Sequence, residues 1–371
     1  MKLINWVRII LTVTLIWVFA GCAETVPLHL GVQPERVSEL ESVIPESVGN
    51  LEKALLPGLK VLTINQAQYI GKFGEYQTAP QAKYVISYDR YGNRTEEAVF
   101  DGQGKLQKKQ SYQYEYDLRG KITSKSFYGL SKTLAAKWTF KYDEQDRLNE
   151  WTKYDGAGNL AFKVIYKYDE AGSKVEEAEY GNRAEFIGWA NYQYDAQGNK
   201  IKVESSNTSD ASAKKWVYQY DKDTKQLLEM RYSEDRILSG SFRKFVYKYD
   251  VRQTEESDYN GDDFLLRKIV WRDDEQGHRL ETVWYNANDT LNRKWLYQYD
   301  EHGNKTEEAL YGADGFLEQK SFWKYRYDEK GNKMQEMGSR LEPKFGKHEE
   351  VPVSETGYEY EFYQPEEEPA K

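Results

Sequence analysis

Along most of this chain, apolar and polar positions alternate one by one, without the three-and-four rhythm of a helix. "WVYQYD" (Trp216–Asp221), "WLYQYD" (Trp295–Asp300) and "WKYRYD" (Trp323–Asp328) each set a ring at every second position. A period of two over five or six residues predicts a strand with all its rings on one face. The alternation then breaks in a fixed way, as in "NYQYDAQGNK" (Asn191–Lys200): Asp, two free positions, Gly, Asn. An Asp carboxylate there can accept hydrogen bonds from backbone N–H groups two or three residues on. The Gly takes the positive φ that closes a type I turn with a bulge. Gly92, Gly198, Gly303 and Gly331 hold that place. A return strand such as "KVEEAEY" (Lys174–Tyr180) or "KTEEALY" (Lys305–Tyr311) follows. It ends in a second turn, best seen in "YDGAGNL" (Tyr154–Leu160) and "YGADGFL" (Tyr311–Leu317), whose first Tyr and last Leu face each other across the hairpin.

This unit is copied. Its Tyr-Asp pair recurs at Tyr88, Tyr116, Tyr142, Tyr168, Tyr194, Tyr220, Tyr249, Tyr299 and Tyr327, and "VWRDDEQGHR" is a degenerate copy with Asp273 in the Tyr place. Four successive steps from Tyr116 to Tyr220 are 26 residues each. Ten copies at a fixed period define a repeat architecture. Each holds two strands, so about twenty antiparallel strands follow in meander order. With about 20° of twist per strand, such a sheet coils through more than a full turn. The expected fold is all-β: a long coiled sheet with its aromatics on the concave side, with a closed barrel as the second arrangement.

"YDAQGNK", "YDEHGNK", "YDEKGNK", "YDRYGNR" and "YDGAGNL" resemble the YD repeat, also called the RHS repeat, of bacterial surface and toxin proteins. The likeness runs from about Lys83 to Glu336. The usual unit is shorter, and the self-cleaving core segment of the large shell-forming members is absent, so a toxin shell is not implied. The resemblance implies cell-surface contact or carbohydrate binding.

The ends of the chain read differently. "MKLINWVRII LTVTLIWVFA GC" pairs Lys2 and Arg8 with the apolar run Ile9–Ala20, the length of a secretory signal and short for a membrane span. It resembles a bacterial lipoprotein signal, with Phe19 in place of the usual Leu. That resemblance implies that Cys22, the single cysteine, is acylated and anchors the chain to a membrane. Ala23 after it implies the outer rather than the inner membrane. Residues 1–22 are thus read as signal, 23–80 as a tether with one or two short helices, 81–363 as the repeat domain and 364–371 as a disordered acidic tail. "YEYEFY" (Tyr358–Tyr363) reads as one last strand.

Composition sharpens the class. The chain holds 31 Tyr, 10 Trp and 14 Phe beside 30% charged residues, too aromatic for disorder and too polar for a thick aliphatic core. Net charge is −9, with acids and bases interspersed, so nucleic acid is not expected as a partner. His29, His278, His302 and His348 are scattered without metal-ligand spacing, and no metal or cofactor is expected. Asp262-Asp263 and Asp273-Asp274-Glu275 read as turn caps. Glu96-Glu97, Glu176-Glu177 and Glu307-Glu308 recur in register, but neighbours in a strand point to opposite faces and cannot flank one bond. No nucleophile elbow or phosphate loop is present, so no enzyme is expected. The aromatic ladder has the most functional reach. Trp138, Trp216, Trp295 and Trp323 share one place in their repeats, followed by Tyr218, Tyr297 and Tyr325 in the last three. Such a row suits sugar rings, whose apolar faces stack on aromatics. The leading expectation is an envelope lipoprotein binding glycan or cell-wall material; a scaffold for another envelope protein is the alternative.

Overall fold

The computed structural model describes residues 56–72, 74–208, 213–234, 242–344 and 347–364. The signal, Cys22, the helices expected in the tether, His29 and nearly all of the acidic tail lie outside these residues. The described chain is all-β. Its strands are β1 (Leu59–Lys72), β2 (Glu75–Tyr88), β3 (Arg94–Asp101), β4 (Leu106–Tyr116), β5 (Ile122–Tyr128), β6 (Leu134–Tyr142), β7 (Leu148–Asp155) and β8 (Leu160–Tyr168). They continue as β9 (Lys174–Tyr180), β10 (Phe186–Tyr194), β11 (Lys200–Asn207), β12 (Ala213–Tyr220), β13 (Leu227–Glu234), β14 (Phe242–Asp250) and β15 (Gln253–Tyr259). The last are β16 (Leu265–Asp273), β17 (Arg279–Asn286), β18 (Leu291–Tyr299), β19 (Lys305–Tyr311), β20 (Leu317–Tyr327), β21 (Lys333–Lys344) and β22 (Lys347–Phe362).

Each strand pairs antiparallel with its neighbours in sequence, and β22 pairs back onto β1 from Leu59↔Phe362 to Gln68↔Ser354. The sheet is therefore a closed 22-stranded barrel, the second of the two expected arrangements. Closure wins because it pairs the backbone groups of two edges that a coil would leave open. The seam also holds the most aliphatic core in the protein: Leu59, Leu62, Ile64 and Ile86 pack with Tyr84, Tyr88 and Tyr358. The sheet starts at Leu59, ahead of the boundary expected at 81, since β1 and β2 are strands joined without the Tyr-Asp turn. A ring of 22 strands, if circular, is roughly 40–45 Å across. The three buried clusters are separate arcs of the wall.

The turns follow the sequence. Gly92, Gly198, Gly303 and Gly331 have φ of 83, 84, 78 and 83°. In the first such turn Gly92 N–H donates to Asp89 O and Asp89 N–H to Asn93 O, a type I turn with a Gly bulge. Asp89 Oδ1 accepts from the N–H groups of Tyr91 and Asn93, two and four residues on; the extra bulge residue moves the second donor one place further than expected. At the other rim Tyr154 pairs with Leu160 and Tyr311 with Leu317, as the facing rule requires.

The two faces of the wall differ. One carries Lys and Glu in cross-strand pairs, such as Glu150 between Lys141 (2.7 Å) and Lys163 (2.9 Å) and Glu307 with Lys320 (2.7 Å). The other carries the rings. Among the described residues both faces carry charged side chains, Lys141, Glu150, Lys163 and Glu307 on one and Arg94, Glu97, Lys174 and Glu177 on the other.

Candidate functional site

The aromatic face is organised in rows that run round the barrel, because even strands separated by 26-residue repeats present the same repeat position at the same height, while the two longer copies displace it by two residues on β4 and β20. The place five residues before the turn Asp holds Tyr84, Tyr112, Trp138, Val164, Ala190, Trp216, Phe245, Ile269, Trp295 and Trp323. The next two rows toward the rim carry the paired tyrosines. Where β7 and β8 part at that rim, Tyr168 donates to Leu148 O (2.6 Å), Tyr194 to Lys174 O (2.8 Å) and Tyr220 to Lys200 O (2.9 Å). The repeated Tyr thus stitches most hairpins to the one before, Tyr142 and Tyr249 making the same bond to Ile122 O and Leu227 O. In the copies that are two residues longer, the earlier Tyr114 and Tyr325 make this bond (2.9 and 2.6 Å). Tyr116 and Tyr327 then reach further, to Asp89 Oδ2 and Asp300 Oδ2.

The recurring Glu pairs split between the faces. Glu96, Glu176 and Glu307 bond Lys109, Lys167 and Lys320 on the charged face. Glu97, Glu177 and Glu308 are buried on the aromatic face, bonded to Arg94, Lys174 and Lys305 three residues back. The cations in turn lie over rings: Lys174 is 4.8 Å from the centroids of both Tyr166 and Tyr192. Among the histidines, His278 caps its own turn through Asp274 (3.0 Å) and stacks on Tyr299, and His302 stacks on Tyr327 at 4.0 Å.

The four candidate tryptophans do lie on one face, but they fall into two groups. Trp138 is 1% exposed and Trp216 5%. Trp216 packs on Tyr232 at 5.3 Å within the cluster of β10–β14. Both indole N–H groups are buried without a partner, so these two rings are core and the expected ligand row loses them. The reason is packing by neighbours: Ala136 and Val164 flank Trp138, and Val203 lies opposite Trp216. Tyr218 is half-buried in the same cluster as Trp216, and burial raises its hydroxyl to about 12.

Trp295 and Trp323 are half-buried, as are Tyr297 and Tyr325 beside them. The rings of Trp295 and Tyr297 stand 6.4 Å apart and 6° from parallel. Lys305, held by Glu308, lies 4.8 Å from the Tyr297 ring and 5.9 Å from Trp323. A depression of about 530 Å³ near Trp323 takes much of its lining from the charged face, from Glu307, Lys324 and Glu350, so it adds no polar partners beside the two rings. Burial raises the Tyr297 hydroxyl to about 12 and raises Tyr325 as well, so both stay protonated donors at neutral pH. The β18–β20 sector therefore combines flat rings, a fixed ammonium group and the Tyr297 hydroxyl, since Tyr325 already donates to Lys305 O. The sequence reading missed Trp284, half-buried opposite Arg293 on the same face. Alternation on the return strand would have shown it.

Neither a family profile nor a curated protein sequence matches the chain. Among solved structures it is similar to a porin-like protein from Bacteroides uniformis ATCC 8492, at 10% identity and TM-score 0.26, covering 82% of this chain and 97% of that one. It is similar to a chain in the structure of TcdB2-TccC3-Cdc42, at 10% identity and TM-score 0.26, covering 79% of this chain and 24% of that one. A porin-like protein from Bacteroides vulgatus ATCC 8482 matches at 12% identity and TM-score 0.18, covering 80% and 97%. Likeness at this level carries no argument about function.

Proposed function

We propose that this chain is a non-catalytic envelope lipoprotein of YD-repeat type, tethered through Cys22, whose barrel binds glycan on the β18–β20 sector of its aromatic face. The observation that carries the reading is the pair Trp295 and Tyr297, near-parallel and half-buried. Flat, half-buried rings give pyranose rings a stacking surface, and the Tyr297 hydroxyl and Lys305 give the sugar hydroxyls partners. Charge on both faces of the wall supports a barrel bathed in water and tethered beside a bilayer rather than inserted in it. The polar rather than catalytic use of the acids supports a binding role: the buried carboxylates are taken up by Arg94, Lys174 and Lys305.

A glycan array probed with the wild type and with Trp295→Ala and Trp323→Ala tests the site. The reading expects a glycan signal lost in both variants, with melting lowered far less than by Trp138→Ala. Absence of any glycan signal, with capture of an envelope protein instead, would favour the scaffold. The anchor is tested separately: wild type should enter the detergent phase, and Cys22→Ser should not. Equal partitioning would remove the lipoprotein assignment.

A further inference from the structure

Seven residues before the turn Asp, on the aromatic face, four successive repeats carry a base: Lys214 on β12, Arg243 on β14, Arg267 on β16 and Arg293 on β18. In the five preceding repeats the same place holds Ala82, Gln110, Ala136, Phe162 and Gly188, and in the following one Ser321. The bases are thus confined to one arc of a protein whose net charge is −9. They sit on alternate strands and are staggered by two residues from one to the next, Arg267 pairing with Asn286 and Arg293 with Trp284, so their backbones step by about 12 Å. The strands between them hold the guanidinium groups in position. Asp258 on β15, wholly buried, bonds both Arg243 and Arg267, while the side chains of those two remain 50% and 39% exposed. Glu256 is a second buried acid, 3.7 Å from Arg267. Lys214 stands opposite Glu234 on β13, and Arg243, Arg267 and Arg293 against the two buried acids leave the rest of the arc positive. Rings adjoin it: Arg267 lies 5.4 Å from the Trp284 ring, Trp284 pairs with Arg293, and Arg293 precedes Trp295 by two residues on the same face of β18.

We infer that this arc extends the glycan platform and makes its ligand an acidic polysaccharide, running across the strands with a carboxylate brought to each base. The inference rests on the glycan reading above. The step between bases is comparable to the length of a disaccharide, a guanidinium fork matches a carboxylate in shape and charge, and Trp284 and Trp295 offer stacking surfaces between the charges. Electrostatic complementarity would then select acidic over neutral chains.

The test measures binding of the full chain to sodium polygalacturonate and to neutral dextran by affinity electrophoresis. Polygalacturonate should bind and dextran should bind at least tenfold more weakly. Arg267→Gln and Arg293→Gln should each weaken polygalacturonate binding about tenfold. Arg293→Gln should leave melting unchanged, which separates lost contact from lost folding at Asp258, and Arg272→Gln on the charged face should do nothing. If dextran binds as well as polygalacturonate and the arginine variants match wild type, the acidic ligand is wrong and the platform stands. If neither polysaccharide binds and no other glycan does, both readings fall. If single-stranded DNA or phosphatidylglycerol vesicles bind as tightly and compete, the arc is a general anion surface and the inference is overturned.

Discussion

Replacing Glu177 by Ala tests how the aromatic face holds its charges. Glu177 is 1% exposed, accepts from Lys174 at 2.7 Å and from Tyr192 at 3.3 Å. Without it, the Lys174 ammonium group keeps only the faces of Tyr166 and Tyr192. Breaking a buried ion pair by removing one partner costs about 3–5 kcal/mol. Lys174 is 25% exposed and can turn toward water, which puts the expected cost near the low end, about 3 kcal/mol. The protein itself contains the control. Tyr194 bonds the carbonyl of Lys174, and Tyr249 bonds that of Leu227, so Leu227 and Met230 are the apolar equivalents of Lys174 and Glu177. The double variant Lys174→Leu/Glu177→Met should therefore lie within about 1 kcal/mol of wild type, or above it. Urea midpoints followed by Trp fluorescence compare wild type, Glu177→Ala and the double variant. A single variant costing under about 1 kcal/mol, or a double variant as unstable as the single, would refute the reasoning.

Three further outcomes follow from the same wall. Tyrosines normally ionise near 10, and burial raises Tyr218, Tyr297 and Tyr360 to about 12. Stability should hold below pH 10 and fall as pH rises from 10 through 12; tyrosinate absorbance titrating wholly near 10 before any loss of structure would contradict this. Ala184 and Lys132 hold the Gly place of their turns with φ of 59 and 58°, so Ala184→Gly should raise stability by about 0.5–1 kcal/mol and Gly198→Val should lower it by about 1 kcal/mol or more. Trp138→Ala should cost about 3–5 kcal/mol while Trp295→Ala costs less than half as much; equal losses would mean that Trp295 is core too.

Much of this fold was legible because the repeat writes it ten times. A strict period of two fixed the strands and the shared face of the tryptophans, and Gly after Asp fixed the turns. The opposite faces of Glu176 and Glu177 followed from alternation alone. Closure was less legible, since no repeat position encodes it. It depends on β1, whose Leu62 and Ile64 fall in a non-repeat segment that reads as tether, and on β22 returning to meet it. The split between buried Trp138 and half-buried Trp295 was hidden for another reason. Repeat position sets the face and height of a ring, but its cover comes from residues on other strands: Lys125 and Lys153 lie over Trp138, whereas Trp295 has Leu310 and Thr282 opposite it. The basic arc is visible in sequence only once the strands are aligned on their turn Asp.

The closed ring is the claim on which the rest stands, and a cross-link at the seam tests it most directly. Asn65 and Gly357 are paired across β1 and β22, and a Cβ added at Gly357 meets nothing within 4 Å. In a Cys22→Ser background, Asn65→Cys and Gly357→Cys are the only thiols. The closed barrel predicts a near-complete bridge within a monomer on mild oxidation, with melting raised. Free thiols, or bridges formed only between two chains, would contradict closure and return the fold to an open coil.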